Sequence, residues 1–200
     1  MASPMKKLKQ KVVLIRHGET KWALEGRHTS FTDLSLTEKG REEAELLQKA
    51  LKNWQFKQVF SSPLKRACET CELAGIADGV IVDPDLTEWN YGRFEGLTTD
   101  QIQKEIPGWD LFEQGCPEGD SPVEVCERVD RIVKKIRAID GDVAVFSHGH
   151  LSRVFATRWV NQPIEESDMF VLDTATLNVL GAYHDTPAIV TWNAKINGYS

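Results

Sequence analysis

The sequence lacks the features that mark several large classes of protein. No apolar run approaches the ~20 residues that cross a bilayer. The apolar run VVLI after the basic start MASPMKKLKQK is only four residues long, too short for the apolar region of a secretion signal. Acidic residues outnumber basic ones by 30 to 24, which gives a net charge of −6. A broad basic surface for nucleic acid is therefore not expected, nor is binding to a membrane, and we expect a cytoplasmic protein.

Cysteine is scarce, and its spacing does not fit a structural zinc site. Cys68 and Cys71 form a CxxC pair, but Cys116 and Cys126 are ten positions apart, whereas such zinc sites usually use two close pairs. A redox CxxC is the alternative, but this pair lies in RACETCELAG, which is typical of a continuous helix. We therefore interpret all four cysteines as plain thiols, and we expect neither a metal nor another cofactor.

What the chain does contain is an alternation of strand and helix patterns. Its 200 residues, 41% hydrophobic and 27% charged, suit one globular domain. We predict an α/β fold, a single three-layer domain over residues 11–200 with a mostly parallel central sheet and helices on both faces. Residues 1–10 are predicted to be a disordered or tag-derived start. The predicted strands are Val12–Ile15, Gln58–Ser62, 80–84, 143–148 and one or two in the tail, and the predicted helices are 37–51, 63–74, 98–105, 122–138 and 151–160.

Three of these strand ends carry cationic or imidazole side chains. They are RHG at 16–18, Lys65 with Arg66 in the first turn after VFSSP, and SHGH at 147–150. The carboxyl ends of parallel strands meet at one edge of a sheet, where ligands bind in open α/β folds. Arginine forks match the oxygens of a phosphoryl group, and the helix N-terminus near Pro63 is expected to add backbone N–H donors. The sequence therefore predicts a pocket for a tetrahedral oxyanion.

The motifs around these residues resemble those of the histidine phosphatase superfamily, the phosphoglycerate mutase-like family. Each motif alone is moderately specific, but the full set in this order is highly specific. The resemblance covers nearly the whole chain, from about Lys11 to Tyr183. The matching segments are RHGET (16–20), LSLTEKG (34–40), SSPLKRACET (61–70), LTEWNYGRFEG (86–96) and FSHGH (146–150).

The resemblance implies how the phosphoryl group is attacked and held. His17 would attack phosphorus as a neutral imidazole and form a phosphohistidine. Its other ring nitrogen must then be held by a backbone carbonyl, for which Gly18 is the candidate. Arg16, Arg66 and a protonated His148 would bind the phosphoryl oxygens and stabilise the transition state.

The same resemblance gives Glu88 the role of acid and base. Glu88 would protonate the departing alkoxide and then take a proton from the attacking water. The arginines and the imidazolium would do the work of Mg²⁺, so no metal is implied. The pattern GxxxxGK[ST] is absent, which argues against a nucleotide hydrolase of that type.

One position departs from the family pattern. Many members have an asparagine that contacts the phosphate after the tryptophan of RHGExxW, but here Trp22 is followed by Ala23. Thr29, Ser30 or a water would have to replace that donor. The departure, together with the segments EWNYG and SHGHLSR, makes the chain more similar to the sedoheptulose-1,7-bisphosphatase-like sugar phosphatases of the family.

The predicted substrate is a small phosphate ester, a phosphosugar or sugar bisphosphate, and the oligomeric state stays open. A phosphoglycerate mutase is the alternative, but WDLFEQGCPEGDSP, read as a lid, has no Lys or Arg for a carboxylate. A phosphoprotein phosphatase is the other alternative, although aromatic residues near this lid indicate a partly closed pocket. His28 and His184 match no motif and are interpreted as structural. The predicted substrate-binding residues are Thr29, Ser30, Tyr91, Gly149, His150 and Arg153.

Overall fold

The strands of this protein form one six-stranded sheet within residues 9–196, the part of the chain that the computed structural model describes. They are β1 (Val12–Arg16), β2 (Phe56–Ser61), β3 (Ile81–Val82), β4 (Asp142–Ser147), β5 (Leu177–Tyr183) and β6 (Thr186–Ala194). The strand order is β3-β2-β4-β1-β5-β6. The prediction for residues 1–10 falls mainly on residues 1–8, which lie outside the described residues. Within the described range, Gln10 Nε2 donates hydrogen bonds to the carbonyls of Ile136, Ile139 and Gly141.

The predicted mostly parallel sheet is confirmed. β1 pairs in parallel with β4, and β2 pairs in parallel with both β3 and β4. The tail forms two strands, with β5 antiparallel to β1 and to β6. Only His184 and Asp185 separate β5 from β6, and so short a connection can join only antiparallel strands.

The helices follow the predicted order, with small shifts at their ends. Helix α3 begins at Lys65 instead of Pro63, because Leu64 is still extended and acts as the N-cap. No helix within residues 9–196 combines the length and the apolar composition that spanning a bilayer requires. The helices are α1 (Lys21–Leu24), α2 (Glu38–Leu51), α3 (Lys65–Leu73), α4 (Thr99–Glu105), α5 (Leu111–Gln114), α6 (Pro122–Arg137) and α7 (Gly149–Trp159), with 3₁₀ turns at Pro84–Leu86, Gly92–Phe94 and Ile164–Met169.

Helices cover both faces of the sheet, as predicted. Successive side chains of a strand point to opposite faces, and in β1 they enter two different cores. Val12 and Leu14 join the core formed with α6 and α7, whereas Val13 and Ile15 join the core formed with α2 and α3. All four side chains are fully buried, which explains why β1 reads as a continuous apolar run.

The segment predicted to be an aromatic lid is instead part of the hydrophobic core. Trp89, Phe94, Trp109 and Phe112 are buried in the same cluster as the apolar stripe of α6. The indole N–H groups of Trp89 and Trp109 donate to the carbonyls of Asp120 and Gly115, so both rings are fixed. These rings are therefore fixed in the core and do not cover the site from outside, although those of Trp109 and Phe112 contact the rings of His28 and His150.

Two glycines let the chain after β1 pack directly on the start of α2. A Cβ at Gly18 would lie 2.3 Å from the carbonyl oxygen of Gly40, and a Cβ at Gly40 would lie 2.1 Å from that of Glu19. The Gly18 N–H also donates to Thr70 Oγ1 of α3 at 3.0 Å. The backbone that follows His17 is therefore held between two helices.

We expect Gly40→Ala to destabilise the protein. Alanine normally favours a helix over glycine, but here its Cβ would overlap the Glu19 carbonyl, and overpacking typically costs about 1–3 kcal/mol. Urea unfolding would measure the loss. Glu45→Ala, on the exposed side of the same helix, is the control and should change the free energy of unfolding by less than about 0.5 kcal/mol. Equal stability of the two variants would contradict the close packing.

Candidate active site

His17 lies directly after β1, and its orientation is fixed by two hydrogen bonds. Its backbone N–H donates to the carbonyl of Ser147 at 3.0 Å, which ties it to the end of β4. Its ring Nδ1 lies 2.8 Å from the carbonyl oxygen of Gly18. Because a carbonyl only accepts, Nδ1 carries the hydrogen, and in the neutral ring Nε2 keeps its lone pair. The expectation that Gly18 supplies this carbonyl is confirmed.

Arg16 and Arg66 bring two buried positive charges to this histidine. Arg16 Nη1 donates to the carbonyl of Leu172 at 2.5 Å. Arg66 Nη2 donates to the carbonyls of Thr29 and Ser30 at 3.0 and 3.2 Å. In the described part of the chain, the Nε–H of each arginine is buried without a partner. Such donors are costly to bury and suit an incoming anion.

The charges around His17 determine its protonation state. Burial, followed by the positive charges of Arg66 and Arg16, lowers the pKa of His17 well below its ordinary value. The imidazole is therefore neutral near pH 7. A neutral ring with its lone pair on Nε2 is the state that a nucleophilic histidine requires.

His148 lies next to His17, with the two ring centroids 5.3 Å apart in an edge contact. Its Nε2 is 2.7 Å from Ser62 Oγ, and its buried Nδ1 has no partner among residues 9–196. Burial and then the charge of Arg66 lower the pKa of His148 well below its ordinary value. Without a bound anion His148 is therefore neutral near pH 7, and its predicted protonation in the presence of a phosphoryl group stays a prediction.

Glu88 reaches the same place from a loop between β3 and α4. Its Oε1 accepts hydrogen bonds from the backbone N–H groups of Trp89 and Leu151, and its Oε2 accepts from that of His150. The last two belong to the first turn of α7, whose positive end stabilises a carboxylate. A Cβ at Gly149 would lie 3.5 Å from Arg16 Cζ and 3.7 Å from Glu88 Oε2, so the acid and the arginine flank this glycine.

The backbone on both sides of Glu88 is held by one half-buried arginine from α6. Arg128 donates to the carbonyl of Thr87 and forms an ion pair with Asp120 at 2.9 Å. Asp120 in turn accepts from the backbone N–H of Asn90. This network, which sequence reasoning missed, fixes the segment that carries the acid.

The amide groups at the start of α3 do not all point to the anion pocket. Leu64 N donates to Ser62 Oγ at 3.3 Å, and Lys65 N donates to Asp33 Oδ1 at 2.8 Å. The prediction that this helix start supplies backbone donors is therefore wrong for these two amides, because side chains already cap them.

A cavity of about 440 Å³ opens beside the predicted catalytic side chains. Arg16, His17 and Glu88 line it, while Arg66 and His148 are buried next to His17 and do not. Of the predicted substrate-binding residues, all but Ser30 line the cavity. Its other lining residues are Ala23, Gly26, Arg27, His28, Thr29, Tyr91, Thr99, Gly149, His150, Arg153, Asp168, Phe170, Val171 and Leu172.

The loop before α2 does not supply an obvious substitute for the missing asparagine. Ala23 lines the cavity, but Ser30 is fully buried, and its N–H donates to the carboxylate of Glu95 at 2.9 Å. Thr29 lines the cavity, but its hydroxyl donates to the carbonyl of Arg27 at 3.0 Å. The Thr29 hydroxyl therefore does not replace the amide donor in this arrangement, whereas the Ser30 hydroxyl is buried without a partner in the described structure.

The remaining predicted residues form a wall of the cavity at the start of α7. Tyr91 Oη is 2.6 Å from His150 Nδ1, and both side chains are held within the site. Arg153 lies over the ring of Phe112 at 4.8 Å and forms an ion pair with Asp168 at 3.0 Å. The sequence left open whether Arg153 forms an ion pair or faces the substrate. In the structure it forms the ion pair and also lines the cavity.

His28 is one of the lining residues that the sequence analysis did not place in the site. Its ring stacks on that of His150 with centroids 5.6 Å apart and contacts the edge of Tyr91 at 4.8 Å. No motif marks it, and its only sequence signal is a place in the Gly- and Thr-containing loop after RHGET. The four cysteines are free thiols, and residues 9–196 contain no cluster of three or more His, Cys, Asp or Glu side chains placed to hold a metal ion.

Comparison with known proteins gives one consistent family. The model of the histidine phosphatase superfamily (branch 1) matches residues 12–195. An acid phosphatase of Mycobacterium tuberculosis is 39% identical over 178 residues, 87% of each chain. Sedoheptulose 1,7-bisphosphatase of Saccharomyces cerevisiae is 31% identical over 81% of this chain and 72% of its own. A 2,3-bisphosphoglycerate-dependent phosphoglycerate mutase of Cytophaga hutchinsonii is 28% identical over 82% of this chain and 83% of its own.

The solved structures agree with this result. The product of an open reading frame of Mycobacterium tuberculosis superposes with a TM-score of 0.90 at 36% identity, and the match covers 94% of this chain and 100% of that one. The resemblance of the motifs to this superfamily is confirmed by the family model.

The buried histidines predict that stability falls in mild acid. Burial lowers the pKa of His17, His28, His148 and His150, so below the ordinary histidine pKa of about 6.5 the unfolded chain binds more protons than the folded one. The free energy of unfolding should therefore be highest above that pH. Below it, the free energy should fall by up to roughly 1.4 kcal/mol per pH unit for each histidine. Urea titrations near pH 7.5, 6.5 and 5.5 would measure it, and a flat profile would contradict the neutral cluster.

Proposed function

The chain belongs to the histidine phosphatase superfamily, and we propose that it is a phosphomonoesterase acting on a phosphorylated sugar or sugar bisphosphate. The observation that carries the proposal is the orientation of His17. Its Nδ1–H bond to Gly18 leaves the Nε2 lone pair for attack, in a ring kept neutral by burial. In the first step the Nε2–P bond forms and the ester P–O bond breaks.

The charge of the transferring group is balanced by side chains of the protein. Arg16 Nε, Arg66 Nε and His148 Nδ1 are buried polar atoms without partners in the described structure. All three lie around His17, and phosphoryl oxygens would give them acceptors. The first turn of α7 adds a further positive end at Gly149. These groups perform the role that Mg²⁺ has in other phosphoryl transfers, so the proposed reaction does not call on a metal.

Glu88 supplies the proton balance of the reaction. In its protonated form Glu88 passes a proton to the leaving oxygen, so that this oxygen departs as an alcohol. In the second step water attacks phosphorus, the P–N bond breaks, and Glu88 takes the proton released by the water. The products are inorganic phosphate and the sugar with one phosphate fewer, and His17 is restored.

The surroundings of the cavity favour a sugar over phosphoglycerate. Two further cations line it, but Arg27 and Arg153 already pair with the carboxylates of Glu25 and Asp168 at 2.5 and 3.0 Å. A mutase that holds the carboxylate of phosphoglycerate needs unpaired cations. The relatives named acid phosphatase and sedoheptulose 1,7-bisphosphatase support the same choice. Because the mutase of Cytophaga hutchinsonii is also a relative, phosphoglycerate mutase activity is the second candidate.

The first test is phosphate release from a panel of esters. The panel contains sedoheptulose and fructose bisphosphates, sugar monophosphates, 3-phosphoglycerate and a phosphopeptide. We expect sugar phosphates to be hydrolysed fastest, and His17→Ala to lose about 10³-fold or more in kcat/KM because it removes the nucleophile. His184→Ala, at an exposed histidine of the β5–β6 turn, is the control and should match the wild type. Isomerised phosphoglycerate without phosphate release would overturn the hydrolase in favour of the mutase.

The second test separates the acid role of Glu88 from its base role. In the Glu88→Gln variant, kcat for sugar phosphates should fall roughly 10²–10⁴-fold, because the alkoxide of a sugar leaves only when it is protonated. The good leaving group of 4-nitrophenyl phosphate needs no proton, so it should give a burst of one nitrophenolate per enzyme followed by slow turnover. The burst would be absent in Glu72→Gln, an exposed control. Unchanged sugar phosphatase activity in Glu88→Gln would remove Glu88 from the mechanism.

A further inference from the structure

The loop that carries His28 is fixed to the segment that follows the acid. The His28 N–H donates to the carbonyl of Leu97 at 2.9 Å, and the His28 carbonyl accepts from Gly96 N at 2.8 Å. Arg27 adds a bond from Nη1 to the carbonyl of Gly96 at 2.8 Å. The backbone of His28 is therefore as well held as a strand residue, although it lies in a loop.

The ring of His28 is fixed as firmly as its backbone. It stacks on the His150 ring at an interplanar angle of 4°, and the rings of Tyr91 and Trp109 contact it at 80° and 69°. Its Nδ1 lies 2.9 Å from the carbonyl oxygen of Leu97, so Nδ1 carries the hydrogen. Nε2 has no partner in the described structure, and the residue lines the cavity that contains His17 and Glu88.

The charge state of His28 limits what its free nitrogen can bind. Burial lowers the pKa of His28, so the ring is neutral near pH 7 and Nε2 is an acceptor. A neutral acceptor does not attract a second phosphate, but it takes a hydrogen bond from a hydroxyl group. Its neighbours are already engaged, since Tyr91 Oη is bonded to His150 and Arg153 to Ser167 and Asp168.

We propose that His28 is a specificity-determining residue, whose Nε2 accepts a hydrogen bond from a hydroxyl group on the sugar portion of the substrate. The inference rests on the proposed function, because it takes a phosphorylated polyol as the substrate class. It predicts that recognition of the sugar depends on His28, whereas recognition of the phosphoryl group does not.

Binding to a form that cannot turn over tests this directly. In the His17→Ala background, titration calorimetry would measure the Kd of fructose 1,6-bisphosphate and of phenyl phosphate, with and without His28→Phe. The phenyl ring keeps the stacking but offers no acceptor. We expect the Kd of the sugar bisphosphate to rise about tenfold, the size of one hydrogen bond, and that of phenyl phosphate to change less than about twofold. His28→Gln, whose amide oxygen accepts, should recover part of the loss.

The outcomes separate this inference from the proposed function. An equal loss for both ligands, or no loss for the sugar bisphosphate, would overturn the role of His28, as would failure of the sugar bisphosphate to bind at all. If His28→Phe does not fold, the same comparison with His28→Gln decides, because a role in specificity still requires a larger loss for the sugar. A selective loss for the sugar in a protein that hydrolyses no ester would overturn the phosphatase and leave His28 as a sugar-binding residue.

Discussion

The register between β1 and β4 is the constraint on which the site depends. Arg16 pairs with Ser147, so the two strands end at the same level, and the residues that follow, His17 and His148, emerge with their rings 5.3 Å apart. A slip of one residue would turn every side chain of β1 to the opposite core. Since both faces of β1 are buried against different helices, such a slip is prohibited by packing. The hydrophobic cores thus determine the geometry of the charged groups.

The site concentrates positive charge in a protein whose net charge is −6. Arg16 and Arg66 both carry their charge where little water reaches it, and backbone carbonyls compensate: Leu172 for Arg16, Thr29 and Ser30 for Arg66. The neighbouring histidines respond by staying neutral, which removes further repulsion. The same neutrality is what the proposed nucleophilic role of His17 requires. The two arginines proposed to bind the phosphoryl group therefore also help to keep His17, the proposed nucleophile, in its neutral form.

Much of the fold and of the catalytic set could be predicted because both depend on local sequence. Valine- and isoleucine-rich strands, capped helices and short motifs at strand ends are contiguous in the chain, and parallel pairing brings them together. The aromatic segment was misjudged because burial of Trp109 and Phe112 depends on their packing against α6, which no local pattern records. His28 could not be found for a similar reason. Its position comes from hydrogen bonds to residues 96–97, about seventy positions away in the chain.

This difference separates the chemistry of the site from its selectivity. His17 and His148 follow strands of the central sheet, and Arg66 lies in the first turn of the helix that follows β2, so their geometry changes only if the sheet changes. His28, Tyr91 and Thr29 lie in loops that contact one another, and loops accept substitution at little cost to the core. A chain with this sheet can therefore keep one phosphoryl-transfer reaction while its loops adapt to different leaving groups. Ala23 fits that division, since it alters the wall of the cavity and leaves the residues around His17 in place.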